Sequence, residues 1–388
     1  MTHSDETEDN SPAQQDAKHY AFSPLALTRM LPFLPLSQGT VDYEVDRRND
    51  PGLIKKLLNN TAAQLMLVSG GKVAVPHGQG AVAQAESVKL RLAMIPATYM
   101  RDFIEASQRS QQSGTGTGSA TNLRSPLVVF LGTKQGNAAK SYLSLTIPTS
   151  ALKAAEESAT SHATPGTHAG EPLPGSLLGD IVRKFDWVDL RDFAPRASSL
   201  EAGLATSAVS VSNWQSYQRF CPQCGARVSP ANAGWAQRCT NPDHGEILFP
   251  RIEPAVITAV TDSQDRILLQ HNKAWKNPKL MSVSAGFVEA GENLEHAVRR
   301  ETMEEVGITL GDLAYEGSQP WPFQRSLMVA FKARALTTDI HVDGVEVDTA
   351  RWFSRDEFTM ALANGEFELP TRAAVARYQI QEWYGQEL

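Results

Sequence analysis

The 388-residue sequence predicts a mixed α/β (α+β) protein of two or three domains. Three observations carry this expectation. Short apolar runs, each the length of one strand, recur in both halves of the chain. A cluster of cysteines stands between the halves. A glutamate-rich segment near the C-terminal end has helical periodicity and a capping residue at each end.

Residues 1–20, MTHSDETEDNSPAQQDAKHY, are polar and acidic and lack an apolar signal core. They are expected to be a disordered tail on a cytoplasmic protein. No apolar run is long enough to span a membrane. The net charge of −7 argues against a broad nucleic-acid-binding surface, though not against a local basic patch. Residues 21–192 contain the strand-like runs QLMLVSGGKVAV, VKLRLAMIP and SPLVVFLGT, which suggest a mixed α/β domain. Two insertions, SQQSGTGTGSATNLRS and SATSHATPGTHAGEPLPGS, are rich in Ser, Gly and Thr and are expected to be mobile loops. This half shows no catalytic constellation. The motifs show no internal repeat, although the halves could share an architecture the sequence does not display.

Residues 193–250 begin with EAGLATSAVSVSNWQSYQRF, which reads as a helix leading into Cys221, Cys224, Cys239 and His244. Three cysteines are too few for a disulfide framework. The spacing C-x2-C-x14-C-x4-H instead suits one tetrahedral Zn2+, because a tight turn aims two thiolates at one ion. Free cysteines and an unrelated surface histidine are the plainer alternative. Asp243 competes with His244 as fourth ligand, but imidazole is the better zinc donor. With no position left for water, the ion would be structural, one per chain.

Residues 251–388 open with the strand-like runs EPAVITAVTD and RILLQHN and then reach GFVEAGENLEHAVRRETMEEVGI. That segment holds six glutamates, two adjacent arginines and three glycines. A solvated charged helix is the ordinary reading. Asn293 can cap a helix from Leu294, and Gly307 can end it. Leu294, Ala297, Val298, Glu301 and Glu305 then form one stripe, apolar at first and acidic later, with Glu304 on its flank. Like charges at this spacing repel and are costly to bury. A hard divalent cation with oxygen ligands removes that cost.

The segment reads G-x5-E-x7-R-E-x-x-E-E-x-G-I and so resembles the Nudix box, matched at Gly286, Glu292, Arg300, Glu301, Glu304, Glu305, Gly307 and Ile308. Thr302 stands where an aliphatic residue is usual; it lies off the carboxylate stripe, so a packing effect at most is expected. A second stretch, SQPWPFQRS, brackets Trp321 with prolines and continues to Phe323. Rigid turns that hold aromatic faces suit stacking on a flat heterocycle. This stretch resembles the signature of the zinc-ribbon-containing branch of Nudix hydrolases that includes NADH pyrophosphatases and NAD-capped RNA hydrolases. Gln324 replaces a usual proline, LPTRAAVAR matches a later family segment incompletely, and His244 stands in place of a fourth cysteine.

The resemblance implies a degenerate N-terminal Nudix-like domain at 21–192, a helix plus zinc ribbon at 193–250 and a catalytic Nudix α/β/α sandwich at 251–388. It implies Mg2+ or Mn2+ held by Glu301, Glu305, Glu346 and the carbonyl of Ala285. It implies substrate contacts at Arg191, Phe249, Phe287, Ala376 and the run Gln319, Pro320, Trp321, Pro322, Phe323, Gln324, Arg325 and Ser326. Phe287 would stack on nicotinamide, with the partner subunit's Trp321 closing the sandwich in a homodimer. The implied reaction is hydrolysis of the pyrophosphate of NADH or NAD+ to nicotinamide mononucleotide and AMP. Glu304 or Glu305 would act as base, and Arg300 would orient the glutamates. NAD-cap removal from RNA is the alternative role. A non-catalytic nucleotide-binding regulator is the remaining one, although such relatives usually lose box glutamates and this chain keeps them.

Overall fold

The computed structural model describes residues 30–388 apart from 32, 84, 86–87, 113–126, 137–138 and 161–176. The expected tail lies outside the described residues. So do the two low-complexity insertions, except for the first three residues of each, which end helices at Gln112 and Thr160.

The first sheet contains β1 (Gln64–Ser69), β2 (Lys72–Val75), β3 (Ile95–Pro96), β4 (Val128–Lys134), β5 (Lys140–Thr146) and β6 (Asp186–Asp189). Its order is β4-β5-β1-β2-β6, with β3 also paired to β1. The run VKLRLAMIP, read as a strand, is largely unpaired; only Ile95–Pro96 joins a ladder. The backbone there is tied instead to scattered acceptors, Leu90 N–H to Arg196 O and Leu92 N–H to the Glu201 carboxylate. The hairpin between β1 and β2 turns at Gly70 and Gly71, both at positive φ, where a side chain would strain the backbone.

Helices cover both faces. Alternate residues of each strand feed two cores. Met66, Val68, Val73 and Val75 meet α5 (Ser199–Tyr217) on one side. Leu65, Leu67 and Ala74 meet α1 (Leu53–Leu58) and α2 (Arg101–Gln112) on the other, where α3 (Thr149–Thr160) and α4 (Leu177–Lys184) also lie. Helix α5, grouped with the ribbon on sequence, is therefore a layer of the first unit. Its small residues Ala202, Ala205 and Ala208 are buried in the core against the sheet, while Gly203 leaves room for the backbone of Gln38, whose carbonyl oxygen would stand 2.4 Å from a Cβ there.

A small sheet follows, β7 (Val228–Ala231), β8 (Ala236–Cys239) and β9 (Ile247–Leu248). It docks on the first unit through Trp235, whose Nε1 donates to Phe130 O at 2.6 Å.

The second large sheet contains β10 (Glu253–Thr261), β11 (Ile267–Asn272), β12 (Ser284–Phe287), β13 (Leu310–Trp321), β14 (Ser326–Ala335) and β15 (Val347–Phe353). Its order is β13-β14-β10-β11-β15, with β12 also paired to β10. Strand for strand this repeats the first sheet. The central strand pairs in parallel with the second strand of a hairpin, β1 with β5 and β10 with β14. The short strand pairs antiparallel to the central one in both, β3 and β12. Val256 and Val260 face α6 (Leu294–Val306), while Ile257 and Ala259 face α7 (Arg355–Ala363) and α8 (Val375–Tyr384). This is the α/β/α sandwich expected for the C-terminal part.

A segment before the first sheet joins the units. Leu31 and Leu34 are buried in the second unit and Leu36 in the first. Leu31 N–H donates to Glu316 O, Ser37 Oγ to Ser318 O, and Leu36 N–H to Gln319 Oε1. All three acceptors lie on β13, the edge strand. Among the described residues, no helix is long and apolar enough to cross a membrane.

Candidate active site and metal centre

Helix α6 begins and ends where its capping residues require. Asn293 Oδ1 accepts the His296 N–H at 2.8 Å, and Gly307 closes the helix at φ +71°. Ala297, Val298, Thr302 and Val306 are buried beneath it. Thr302 thus fills a core position, where a substitution acts on packing. Its hydroxyl is satisfied by the carbonyl of Val298 at 2.9 Å, so the departure leaves no unpaired polar group.

Arg300 organises the acidic face. Its Nε and Nη2 donate to the two oxygens of Glu292, each at 2.8 Å. Nη1 donates to Glu301 and to Glu304, each at 2.9 Å, and Nη2 reaches the Phe287 carbonyl at 2.9 Å. The guanidinium holds the Glu292 carboxyl far below the usual carboxylate range, and Glu292 raises the Arg300 pKa in turn. Burial pushes Glu301 up, opposed by Arg300 and reinforced by the charges of Glu304 and Glu346.

Glu305 is the most enclosed carboxylate of the group, 5% exposed. Burial pushes its pKa up to about 7, against hydrogen bonds from Ser284 and Gln270, and the charges of Glu301 and Glu346 add to the rise. Ser284 Oγ donates to Glu305 at 2.5 Å. A Cβ placed on Gly286 would stand 1.9 Å from the Glu301 carboxyl carbon. Ala285 therefore lies on β12 between a residue that binds Glu305 and one that abuts Glu301. Glu346 enters from the connection before β15, exposed, and near enough for its charge to act on both glutamates. The glutamates do not close into a shell: among the described residues, the metal-type cluster with ligand atoms within 4.8 Å of one another is Cys221, Cys224 and His244. Ser284 holds Glu305 and Arg300 holds Glu301. The donor set, carboxylates and a carbonyl, suits a hard divalent cation.

The remaining expected contacts fall in three settings. Phe249 and Phe287 are exposed, 67% and 48%. The SQPWPFQRS stretch is a strand end and a tight turn. Pro320 and Trp321 pair with Leu327 and Ser326 across the hairpin, which Pro320 tolerates because β13 is an edge strand. Trp321 and Phe323 meet edge-to-face at 4.9 Å between ring centres and lie against the first unit's core. The Arg191 guanidinium stacks 3.5 Å from the Phe323 centroid, and Asn213 Nδ2 donates to Pro322 O at 3.2 Å. Arg325 pairs with Glu253 at 3.2 Å. Gln319 and Ala376 differ from expectation, being 0% and 2% exposed. Gln319 Nε2 donates to Ala373 O at 2.8 Å while its Oε1 accepts from Leu36. It is a brace across the domain junction with no side-chain surface for a ligand, and Ala376 is core of α8.

In the ribbon, the Cys221–Cys224 turn is closed by Gly225 N–H to Cys221 O at 2.9 Å. Cys224 Sγ lies 3.4 Å from Cys239 Sγ. His244 joins Cys221 and Cys224, whereas Asp243 is exposed and outside the cluster. Glu246 comes close as well, 3.7 Å from Cys221 Sγ and 3.5 Å from His244 Nε2.

Sequence reasoning missed Ser284, Gln270 and Glu246. The first two sit on strands outside any motif, and only pairing brings them to Glu305. Glu246 lies two residues after His244, and its spacing carried no signal beside four better zinc donors.

Residues 251–374 match the NUDIX domain, and residues 216–246 match the NADH pyrophosphatase zinc ribbon domain. The chain is 42% identical over 205 residues to NAD-capped RNA hydrolase NudC of Mycobacterium bovis, covering 50% of this chain and 64% of that one. It is 39% identical over 209 residues to Nudix hydrolase 19, chloroplastic, of Arabidopsis thaliana, covering 51% and 48%. It is 37% identical over 193 residues to NAD-capped RNA hydrolase NUDT12 of Macaca fascicularis, covering 47% and 42%. These matches span less than two thirds of each relative's length.

Proposed function

Because the chain carries a Nudix domain behind a zinc ribbon of the NADH pyrophosphatase kind, we propose that it hydrolyses the pyrophosphate bond of NAD(H), free or as the 5′ cap of an RNA. The observation that carries this reading is the set of carboxylates around Ala285: Glu301 against Gly286, Glu305 on Ser284, and Glu346 near enough for its charge to act on both. Mg2+ or Mn2+ would be held by Glu301, Glu305, Glu346 and the Ala285 carbonyl. Such an ion neutralises the diphosphate oxygens and acidifies a bound water. Glu304 is the carboxylate free to take a proton from the attacking water, since its side chain is 60% exposed and held by Arg300 alone of the described groups. Arg300 fixes the carboxylates through charge-assisted bonds. Cleavage releases AMP and nicotinamide mononucleotide from the free dinucleotide, and mononucleotide and 5′-monophosphate RNA from the capped form.

Exposed Phe287 offers a flat apolar face to nicotinamide, and Arg191 and Asn213 brace the Trp321–Phe323 turn. A homodimer would complete the site across Phe249 and Phe287. Cys221, Cys224, Cys239 and His244 would hold one structural Zn2+, in a cytoplasmic enzyme. Capped RNA enters the reading because two of the relatives are named NAD-capped RNA hydrolases.

The test is turnover of NADH, ADP-ribose and NAD-capped RNA by the full chain with Mg2+ or Mn2+. Release of nicotinamide mononucleotide from NADH or capped RNA, with kcat/KM above that for ADP-ribose, is expected. Hydrolysis of ADP-ribose alone, or of none, would overturn the proposal.

A further inference from the structure

Two of the three carboxylates above come from one helix, but Glu346 comes from the connection between β14 and β15. Loops are ordinarily the less constrained part of a fold. This one is tied on both sides. The carboxylate of Asp343 accepts the N–H of Glu346 at 3.0 Å on one oxygen and the N–H of Val347 at 2.9 Å on the other. The Asp343 N–H donates to the Glu305 carbonyl at 3.1 Å, and the His341 N–H to the Val306 carbonyl at 2.9 Å. The loop thus caps the last carbonyls of α6, which no intrahelical donor can reach. Gly344, at φ +66°, makes the turn and donates to Val347 O at 3.0 Å. Just after β11, Lys273 adds its N–H to the Glu346 carbonyl at 2.8 Å and its Nζ to the Gly344 carbonyl at 2.7 Å. The exposed Glu346 side chain therefore stands on a backbone held fast to the helix of Glu301 and Glu305.

We propose that Asp343 is a positioning residue that sets Glu346 against Glu301 and Glu305 for divalent-cation binding, with Lys273 as second anchor. Both oxygens of Asp343 are occupied by backbone N–H groups, so its role differs from that of the glutamates. The inference rests on the reading of Glu346 as a ligand, and the test separates the two.

Mn2+ is titrated into the full-length chain, and free Mn2+ is read by electron paramagnetic resonance, with zinc content and thermal midpoint measured alongside. The variants are Glu346→Gln, Asp343→Ala and the pair combined. Each single change should weaken Mn2+ binding about tenfold. Their combination should bind no more weakly than Glu346→Gln alone, because Asp343 acts through Glu346. Asp343→Asn, which keeps one acceptor oxygen, should recover part of the loss. A purely structural aspartate would lower the midpoint and leave Mn2+ affinity alone. If Asp343→Ala fails to fold, Lys273→Met takes its place in the same cycle. Wild-type Mn2+ affinity in the Asp343 or Lys273 variant beside a weakened Glu346→Gln overturns the inference, as do effects that multiply. Wild-type affinity in Glu346→Gln overturns the ligand reading, and this inference with it.

Discussion

Glu305 shows how a single buried charge is tolerated for function. Its folded pKa is raised from the usual 4.5 to about 7, so the folded state holds a proton that the unfolded chain has released. Between those values, stability falls as pH rises, and above about 7 the full penalty is present. A shift of this size corresponds to about 3 kcal/mol. Metal-free Glu305→Gln should therefore melt above the wild type at pH 8, and the gap should close toward pH 5; scanning calorimetry at both pH values checks this. The same variant should lose hydrolysis by about a thousandfold or more. An equal midpoint gap at both pH values would count against the raised pKa. Cation binding must displace the proton, so Mn2+ affinity in the wild type should climb through pH 7 and stay flatter in Glu305→Gln. Gly286 is a second such position. Its substitution by Ala drives a methyl into the Glu301 carboxyl group; kcat/KM should fall at least about a hundredfold, with little change in circular dichroism.

Among the elements, α6 was the most legible and the ribbon was legible in part. Caps, stripe and boundaries of α6 are local properties, so Asn293, Leu294 and Gly307 mark its ends in the sequence and in the fold alike. The ribbon's Cys221–Cys224 turn is local too. The fourth member of the expected zinc set depends on how the turn after Cys239 folds back, and there both His244 and Glu246 come close to Cys221. His244→Ala should lower zinc retained by the purified chain well below one equivalent and lower the thermal midpoint, whereas Glu246→Ala should retain the ion. The reverse pattern, read by elemental analysis, would move the fourth ligand to Glu246. The SQPWPFQRS stretch reads as rigid turns, but Ser318–Trp321 end the edge strand β13, where Pro320 is tolerated, and the pairing of β13 with β14 is not visible in its own residues.

The whole molecule is two copies of one sheet topology joined by a small ribbon and a leucine-bearing segment. In the second unit, the helix after the short strand carries the glutamates; in the first, the corresponding α2 reads RDFIEASQRSQQ, without that set of carboxylates. The first unit instead contributes Arg191 and Asn213 to the turn at Trp321 and Phe323. Arg191→Ala should raise KM for the dinucleotide severalfold while leaving Mn2+ affinity unchanged, because Arg191 contacts Phe323 and Asp189 and none of the carboxylates of α6. Leu31, Leu36 and Ser37 hydrogen-bond to the outer edge of β13. A chain beginning at residue 38 loses three buried leucines, each worth about 1.5–3 kcal/mol, and bares an unpaired edge. It should melt several degrees lower and aggregate more readily than one beginning at residue 30, as light scattering during thermal unfolding would report.

By itself the sequence determined what depends on neighbours along the chain. Helical period, end caps, the knuckle spacing and the run of box residues are set within one element, where backbone geometry alone relates the side chains. The tertiary structure alone decided what depends on pairing between distant segments. It set Ser284 on Glu305, placed Glu346 beside the helix, turned Gln319 inward as a brace and buried Thr302. It also showed that the halves share one strand order. A sheet's connectivity is stored in long-range hydrogen bonds between backbone groups that every residue carries, so two sequences can hold it in common without resembling each other.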